Sequence, residues 1–239
     1  MKLSVITLSY DNLDYTKAFV KSIRENTTLP YELIIVDNGS EPETQRWVVE
    51  NSDRAIIFQE NQGFSKGFNE GVKAADGEYV MMANNDTEFP PEWDKKLVDT
   101  MEKNPIAGIV TPVYTSGRKS ALRVEPGEKI LKIFPFRKYP SAVAFLMRRD
   151  ELISKFGGWS EEYEIASGED ADLCFKVWKS GYDILIDERV LIIHEGKVTS
   201  SSKLEDWQAH FKLNSRQFKK KWFYYYYFPY MGALFRNSR

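Results

Sequence analysis

The sequence contains almost no cysteine. Its single cysteine, Cys174, excludes an internal disulfide and any zinc site built from several cysteines. One thiol among 239 residues is typical of a protein from a reducing compartment, and we expect a cytoplasmic location. A chain of this length, 42% hydrophobic and 28% charged, can bury a core that needs no disulfide or structural metal in order to fold.

Long apolar runs and two common nucleotide-binding signatures are also missing. No stretch has the roughly 18 apolar residues that a membrane span requires. The apolar residues 3–8 are too few for a signal peptide and continue into polar residues 9–12, so we expect no cleaved leader. Because neither Gly-x-Gly-x-x-Gly nor Gly-Lys-Ser/Thr occurs, a dinucleotide dehydrogenase and a P-loop kinase are disfavoured.

The net charge is small but unevenly distributed. A formal charge of −2 favours no nucleic-acid partner. Residues 203–239, however, contain eight Lys and Arg against two Asp and Glu, together with the aromatic cluster 222–230. Two interpretations stay open for this segment. It is an interfacial membrane anchor, or it is a helix whose aromatic side chains pack on the domain or on another subunit.

The first part of the chain alternates between two kinds of segment. Helix-like segments separate four apolar, strand-like segments, at residues 3–8, 32–36, 56–58 and 79–83. This alternation predicts an α/β fold with a Rossmann-like, mostly parallel central sheet flanked by helices. We predict one catalytic domain over residues 1–202 and a basic, aromatic, helical appendage over residues 203–239.

The later segments are less regular. We predict a mobile loop or irregular hairpin over residues 115–140, and a turn with exposed aromatic side chains over residues 156–163. Two short strands are predicted at residues 182–186 and 190–194.

Polar side chains follow two of the predicted strands, at the edge where open α/β sheets bind ligands. Asn84, Asn85 and Asp86 follow the fourth strand, and the Asp86 carboxylate is suited to hold a divalent cation against a phosphate. Asp37 follows the second strand and can accept a hydrogen bond from a ribose hydroxyl or a base N–H. The segment from Asp37 to Ser40 is equally suited to an Asx turn, so both roles stay open.

Two further groups have both a structural and a chemical interpretation. Ser167 and Asp170 have the spacing of a capping box at the start of a predicted helix. A carboxylate held rigid and ionised there also meets the requirement for a general base. His194 ends an apolar strand, where it is a structural residue or a ligand for an ion such as Mn²⁺, whereas His210 is predicted to lie on the surface.

Seven short motifs occur in a fixed order along the chain. They are Val-Ile-Thr-Leu-Ser-Tyr at 5–10, Ile-Val-Asp-Asn-Gly-Ser at 35–40, Asn-Gln-Gly-Phe-Ser-Lys-Gly-Phe-Asn-Glu-Gly at 61–71, Asn-Asn-Asp at 84–86, Gly-Gly-Trp-Ser-Glu-Glu at 157–162, Gly-Glu-Asp-Ala-Asp-Leu at 168–173 and His-Glu-Gly at 194–196. As an ordered set they resemble family-2 glycosyltransferases. The subgroup that the set resembles most is that of the rhamnosyltransferase-like enzymes of bacterial cell-surface polysaccharides.

The resemblance implies a GT-A fold and a metal-dependent, inverting hexosyltransferase that uses Mn²⁺ or Mg²⁺. The donor would be a nucleoside-diphosphate sugar and the acceptor a glycan or a lipid-linked hydroxyl. We expect a location in the cytoplasm or at the inner face of the membrane. Residues 203–239, which lie outside the resemblance, would contact the membrane or a second copy. The alternatives are a sugar nucleotidyltransferase and a non-catalytic subunit that binds nucleotide sugars.

The resemblance also implies roles for individual residues. Asp170 would be the catalytic base, with Glu169 as the alternative, and Asp86 and His194 would hold the metal. Asn84 stands where the family has the first Asp of its Asp-x-Asp motif, which removes one charge near the cation. Trp159 and Glu162 would face the acceptor, although Trp159 fits the core equally well. The nucleotide-sugar site would be formed by Thr7, Ser9, Tyr10, Asp37, Asn61, Lys66, Asn69, Asn84 and Asn85.

Overall fold

The computed structural model describes residues 2–117, 125–134, 139–163, 167–196 and 207–223. Within these ranges the strands are β1 Leu3–Ser9, β2 Tyr31–Asp37, β3 Arg54–Ile57, β4 Tyr79–Asn84, β5 Thr87–Glu88, β6 Ala107–Ser116, β7 Ile130–Ile133, β8 Ala144–Arg148 and β9 Asp183–His194. The helices are α1 Leu13–Asn26, α2 Pro42–Asn51, α3 Phe64–Ala74, α4 Trp93–Lys103, α5 Arg149–Ser154, α6 Glu169–Lys179 and α7 Trp207–Lys221.

In the described part of the chain, the strands form a single nine-stranded sheet of order β3-β2-β1-β4-β8-β6-β9-β5, with β7 paired to β9. β1 pairs in parallel with β2 and β4, and β2 pairs in parallel with β3. β8 is antiparallel to β4 and β6, whereas β6 and β9 are parallel to each other. The predicted α/β fold with a mostly parallel, helix-flanked sheet is therefore confirmed.

Apolar side chains cover both faces of the sheet, as the continuous apolar strands predict. One face packs against α1 and α4, with Phe19, Trp93 and Leu97 fully buried. The other face packs against α3 and α6. There the helix α3 approaches β1 closely, because a Cβ at Gly71 would lie only 2.4 Å from the side chain of Ile6.

Some predicted elements have different boundaries in the structure. The two strands expected at 182–186 and 190–194 are one strand, β9. The polar middle section of β9 stays in the sheet because the pairing with β6 shifts register at this section. Within it, Arg189 binds Asp187 at 2.7 Å. The irregular region predicted over residues 115–140 contains a regular strand, β7, which pairs with β9.

The aromatic side chains of residues 156–163 are buried, so the prediction of exposed aromatics is wrong. Trp159 is 2% exposed and is stacked on the rings of Phe68 and Phe145, at centroid distances of 5.8 and 6.1 Å. Its indole N–H donates to the Met82 sulfur at 3.0 Å. The sequence left open whether Trp159 faces the acceptor or lies in the core, and the structure shows that it lies in the core.

The C-terminal helix α7 packs against α6. Phe218 and Trp222 contact Phe175 in a small cluster that also includes Tyr163 and Ala171. Among the helices that the structure describes, none combines the length and the apolar content needed to cross a bilayer.

Candidate functional site

The carboxyl ends of β1, β2 and β4 lie side by side at one edge of the sheet. Ser9 pairs with Asp37, and Leu8 pairs with Asn84, so the polar residues that follow each strand are neighbours. This edge is where open α/β sheets bind their ligands. The alternation of strands and helices in the sequence predicted this arrangement.

Asp37 is fully buried, and its two carboxylate oxygens differ in their surroundings. Oδ1 accepts the backbone N–H of Ser40 at 2.9 Å, which is the turn contact expected from the sequence. Oδ2 has no hydrogen-bond partner among the described residues. Burial raises the pKa of the Asp37 carboxyl against the opposing effect of the Ser40 side chain and of the Ser40 and Gly39 N–H groups. A base N–H or a ribose hydroxyl would satisfy the second oxygen.

A loop that precedes α3 is joined to the end of β2. The Asn38 side chain donates to Asn61 Oδ1 at 3.0 Å and accepts the N–H of Gln62 at 2.8 Å. Gly39, at φ +87°, allows this close approach, since a Cβ there would lie 2.6 Å from the backbone of Glu60. Asn38 was not among the predicted site residues, although its position directly after a strand was an available signal.

Other predicted nucleotide-sugar residues make contacts within the protein. The Thr7 hydroxyl donates to the Ala83 carbonyl at 2.8 Å, and the Asn85 amide donates to the Thr16 hydroxyl, also at 2.8 Å. The Thr16 hydroxyl in turn lies 3.5 Å from that of Ser9. These hydrogen bonds hold the edge rigid. The part-buried side chains at the same edge are those of Tyr10, Asn84 and Lys66, the last of which donates to Gln62 at 2.6 Å.

Hydrogen bonds from the Asn69 side chain link α3 to the turn that contains Trp159. Its amide N–H₂ donates to the Trp159 carbonyl at 2.9 Å and to Glu161 at 2.7 Å, and its oxygen accepts the Trp159 N–H at 2.9 Å. The Asn69 amide thus fixes the position of this turn. Glu162 is exposed and binds Lys221 of α7 at 2.6 Å.

Asp86 and His194 are brought together by the pairing of β5 with β9. Thr87 pairs with His194, and the distance from His194 Nε2 to Asp86 Oδ1 is 3.2 Å. The other carboxylate oxygen of Asp86 accepts the backbone N–H of Gly196 at 3.1 Å. The Tyr114 ring packs edge-on against the imidazole, at a centroid distance of 5.5 Å. Both side chains are therefore held in place and remain partly accessible.

This pair fits a divalent cation that also binds the substrate. Adjacent ligands of an octahedral Mg²⁺ lie about 3 Å apart, which is close to the observed separation of the two donor atoms. Among the residues that the structure describes, no group of three or more His, Cys, Asp or Glu side chains converges on one point. The remaining ligands would therefore be phosphate oxygens and water, as is usual where Mg²⁺ is bound through one or two protein ligands.

Asp170 lies beside the same edge of the sheet. The backbone N–H of Ala142 is near enough to its carboxylate to favour the ionised form. The next residue, Val143, accepts the backbone N–H of Asn84 at 3.0 Å, at the end of β4. Asp86 lies two residues after Asn84, so the candidate base and the candidate metal ligands share one end of the sheet.

The capping box predicted for Ser167 and Asp170 is wrong. Gly168, at φ +96°, is the N-cap of α6, and among the described residues no side chain caps this helix. The Asp170 carboxylate instead accepts the N–H of the next residue, Ala171, at 2.7 Å. Burial raises the pKa of Asp170, and the N–H groups of Ala171 and Ala142 oppose this effect and favour the ionised form. An ionised carboxylate at this position can accept a proton from a bound hydroxyl.

Glu169 is also buried, beside Asp170. Its Oε2 atom has no hydrogen-bond partner in the described ranges. Burial, followed by the negative charge of Asp170, raises the pKa of Glu169 to about 7. In the folded protein Glu169 therefore keeps its proton at a pH where the unfolded chain has lost it.

This difference predicts a pH-dependent stability. Because the folded pKa is raised, the contribution of Glu169 is fully present below about pH 4.5 and is lost as the pH rises through about 7. Denaturant unfolding at pH 5 and pH 8 should show that the wild type loses about 2–3 kcal/mol more than the Glu169→Gln variant over this interval. The exposed Glu43→Gln change is the matched control and should behave like the wild type. The same pH dependence in all three proteins would contradict the raised pKa.

The aromatic stretch 224–230, part of the segment whose role stayed open in the sequence, lies outside the described residues. One functional candidate was missed. Asp172 lies two residues beyond Asp170, is fully buried, and binds Ser160, Tyr163, Lys221 and Trp222.

The sequence matches a family model over most of its length. The model described as glycosyl transferase family 2 matches residues 4–152, a range that includes Asp37 and Asp86 but neither Asp170 nor His194. An uncharacterized glycosyltransferase of Haemophilus influenzae is 32% identical over 185 residues, which cover 73% of this chain and 61% of that protein. The chain spans between 27% and 61% of the length of four curated relatives that it matches.

Two solved structures have a similar fold. The structure of GalNAc-T7 with UDP, GalNAc and Mn²⁺ superposes with a TM-score of 0.73 at 13% identity, over 95% of this chain and 50% of that chain. The structure of S. aureus TarS 1–349 in complex with UDP-GlcNAc superposes with a TM-score of 0.68 at 18% identity, over 91% and 66% of the two chains. The fold is accordingly the GT-A fold. Together with the family match over residues 4–152, this places the chain in glycosyl transferase family 2.

Proposed function

We propose that this protein is an inverting glycosyltransferase that moves a sugar from a nucleoside-diphosphate sugar to a hydroxyl acceptor in the synthesis of cell-surface polysaccharide. The observation that carries the proposal is the meeting of Asp86 and His194, 3.2 Å apart, at the sheet edge that also holds Asp170. Asp37, whose buried Oδ2 atom has no partner in the described part of the chain, lies at the same edge and is suited to the nucleoside. The UDP, GalNAc and Mn²⁺ in the GalNAc-T7 structure and the UDP-GlcNAc in the TarS structure support the choice of donor.

Asp170 would act as the general base. It takes the proton from the acceptor hydroxyl as that oxygen attacks the anomeric carbon, and the bond from that carbon to the diphosphate oxygen breaks. The nucleoside diphosphate leaves on the opposite side, so the anomeric configuration is inverted. Asp170 is partly buried, and the N–H group of Ala171 keeps its carboxylate oriented.

Asp86 and His194 would hold Mn²⁺ or Mg²⁺ against the diphosphate. Such a cation, when bound, supplies positive charge that stabilises the leaving group. The absence of a carboxylate at Asn84 leaves Asp86 as the single acidic ligand from this motif. Gly196 orients that ligand through its backbone N–H, which fixes one carboxylate oxygen and leaves the other toward His194.

The donor is tested with a panel of UDP-, GDP- and dTDP-sugars. In the presence of Mn²⁺, one class should raise the melting temperature by mass action and should be slowly hydrolysed to the nucleoside diphosphate. We place dTDP-sugars in the panel because we assign the protein to the rhamnosyltransferase-like subgroup. Release of pyrophosphate would identify a sugar nucleotidyltransferase instead, and binding without any turnover, even with glycan acceptors, would identify a non-catalytic subunit.

The outer face of α7 supports a location at the inner face of a membrane. Its exposed side chains include Lys212, Arg216, Lys219 and Lys220, with Phe211 and Phe223 each 47% exposed beside them. Basic side chains interleaved with aromatic ones suit an anionic lipid surface. A lipid-linked acceptor would then be presented to the site from that surface.

Vesicle binding tests this location. Charge reversal at two positions, Lys219→Glu with Lys220→Glu, should lower binding to vesicles rich in phosphatidylglycerol by at least about tenfold, since each basic residue contributes roughly 1 kcal/mol. The same charge change on α1, Lys17→Glu with Lys21→Glu, is the matched control and should have a much smaller effect. Equal losses for the two double variants would show that only net charge matters and would contradict an α7 membrane face.

A further inference from the structure

The carboxylate of Asp172 joins three parts of the protein. Its Oδ2 atom accepts from Ser160 at 2.6 Å, and its Oδ1 atom accepts from Tyr163 at 3.1 Å, both in the turn that follows α5. From α7, the Trp222 indole N–H donates to Oδ1 at 2.7 Å, and Lys221 Nζ lies 2.9 Å from the same oxygen. Asp172 is therefore a buried point of attachment for the C-terminal helix.

The ionisation of Asp172 depends on these partners. Burial acts to raise its pKa, but hydrogen bonds from Ser160, Lys221 and Trp222 and the charge of Lys176 outweigh it and hold the pKa below the usual range. Lys221 also binds Glu162 at 2.6 Å and Ser160 at 3.2 Å. Its ammonium group therefore links α7 to both the turn and α6. Removing one partner of such a buried pair leaves an uncompensated charge.

The contacts of α7 flank the candidate base along α6. Asp172 lies two residues after Asp170. Gly168 lies two residues before it, and a Cβ at Gly168 would be 3.8 Å from the Cβ of Asn214 in α7. α7 therefore lies close to the α6 backbone on both sides of Asp170, near Gly168 and at Asp172.

From this arrangement we infer that α7, through Lys221 and Trp222 on Asp172, is a positioning element that sets the location of Asp170 relative to the bound acceptor. The inference rests on the proposed role of Asp170 as the base. It assigns a function to residues beyond the range that the family model matches. A displacement of about 1 Å in a catalytic group can lower a rate by about 10²-fold, so a modest loosening of α6 is sufficient.

Two variants test the inference in the full chain. Lys221→Met removes the charge, and Trp222→Phe removes the indole N–H while an aromatic ring is kept. Each should lower kcat per folded molecule by about 10- to 100-fold while the KM for the donor is unchanged, because Asp37 and Asp86 lie on other elements. Lys221→Arg, which can still bind Asp172, should restore most of the rate.

The matched controls change similar residues away from this contact. Lys103→Met removes a lysine that is paired with Asp99, and Trp47→Phe alters a part-buried tryptophan on α2. Both should leave kcat unchanged. The folded fraction is measured by circular dichroism, and if Lys221→Met does not fold, Trp222→Phe carries the test.

The possible outcomes separate this inference from the proposed function. Wild-type kcat in the folded Lys221→Met and Trp222→Phe variants would overturn the positioning role, as would a donor KM that rises in step with the loss of kcat. If Asp170→Asn retained its turnover, the proposed base would fail whatever the α7 variants showed.

Discussion

Replacing Asp170 with asparagine is expected to lower the rate of sugar transfer by about 10²- to 10⁴-fold, the range that general base catalysis typically contributes. The amide keeps the size of the side chain but cannot take a proton from the acceptor hydroxyl. Nucleotide binding should be unchanged, because Asp37 and Asp86 belong to other strands and loops of the sheet edge. The measurement pairs steady-state transfer rates with calorimetric titration of the nucleotide.

The control for this experiment is Asp150→Asn, which neutralises an exposed carboxylate in the first turn of α5. It should retain wild-type activity. Glu169→Gln distinguishes the neighbouring carboxylate, and we expect it to remain active because Glu169, with a pKa of about 7, is largely protonated below neutral pH. Near-normal turnover by Asp170→Asn, together with loss of turnover in Glu169→Gln, would move the base to Glu169.

The second large effect concerns the Asp86 and His194 pair. Asp86→Ala should raise the dissociation constant of the donor in Mn²⁺ by about 10- to 100-fold or more. Removing an outer-shell partner of a metal site already lowers metal affinity by this factor, and Asp86 would bind the metal directly. In the wild type, chelation of the metal by EDTA should weaken donor binding to a similar extent. In Asp86→Ala, EDTA should then have little further effect, because the carboxylate that binds the metal is gone.

His194→Ala is expected to show the same pattern, since the imidazole would be the second protein ligand of the same ion. Asp14→Asn removes an exposed carboxylate from the first turn of α1 and should bind the donor as the wild type does. A titration of Asp86→Ala that responds to Mn²⁺ as strongly as the wild type would contradict the assignment of the ligand pair. It would leave the proposed role of Asp170 untouched.

Much of the sheet could be predicted because its signals are local. The strands β1, β2 and β4 are largely apolar and end in polar residues, and their parallel order places those ends together. Asp37 and Asp86 were selected on this basis, and the structure shows both at the expected edge. The boundaries of β9 could not be predicted in the same way, because a register shift against β6 keeps its polar middle section within the sheet.

The burial of Trp159 illustrates a limit of local patterns. The turn around it contains glycines and charged residues, which is typical of an exposed loop. Phe68 and Phe145, from α3 and β8, supply the aromatic surfaces that bury its ring. No property of residues 156–163 alone shows that these partners lie above and below them.

By itself, the amino-acid sequence determined the α/β class, the positions of most strands and the choice of the carboxylates and the imidazole that we propose perform the chemistry. Those properties follow from hydrophobic periodicity and from the chemistry of single side chains. The tertiary structure alone decided that His194 meets Asp86, that Trp159 belongs to the core, and that Asp172 ties α7 to the helix of Asp170. These contacts join segments that are far apart in the chain. They are set by strand order, register and helix packing, and a local sequence pattern specifies none of these.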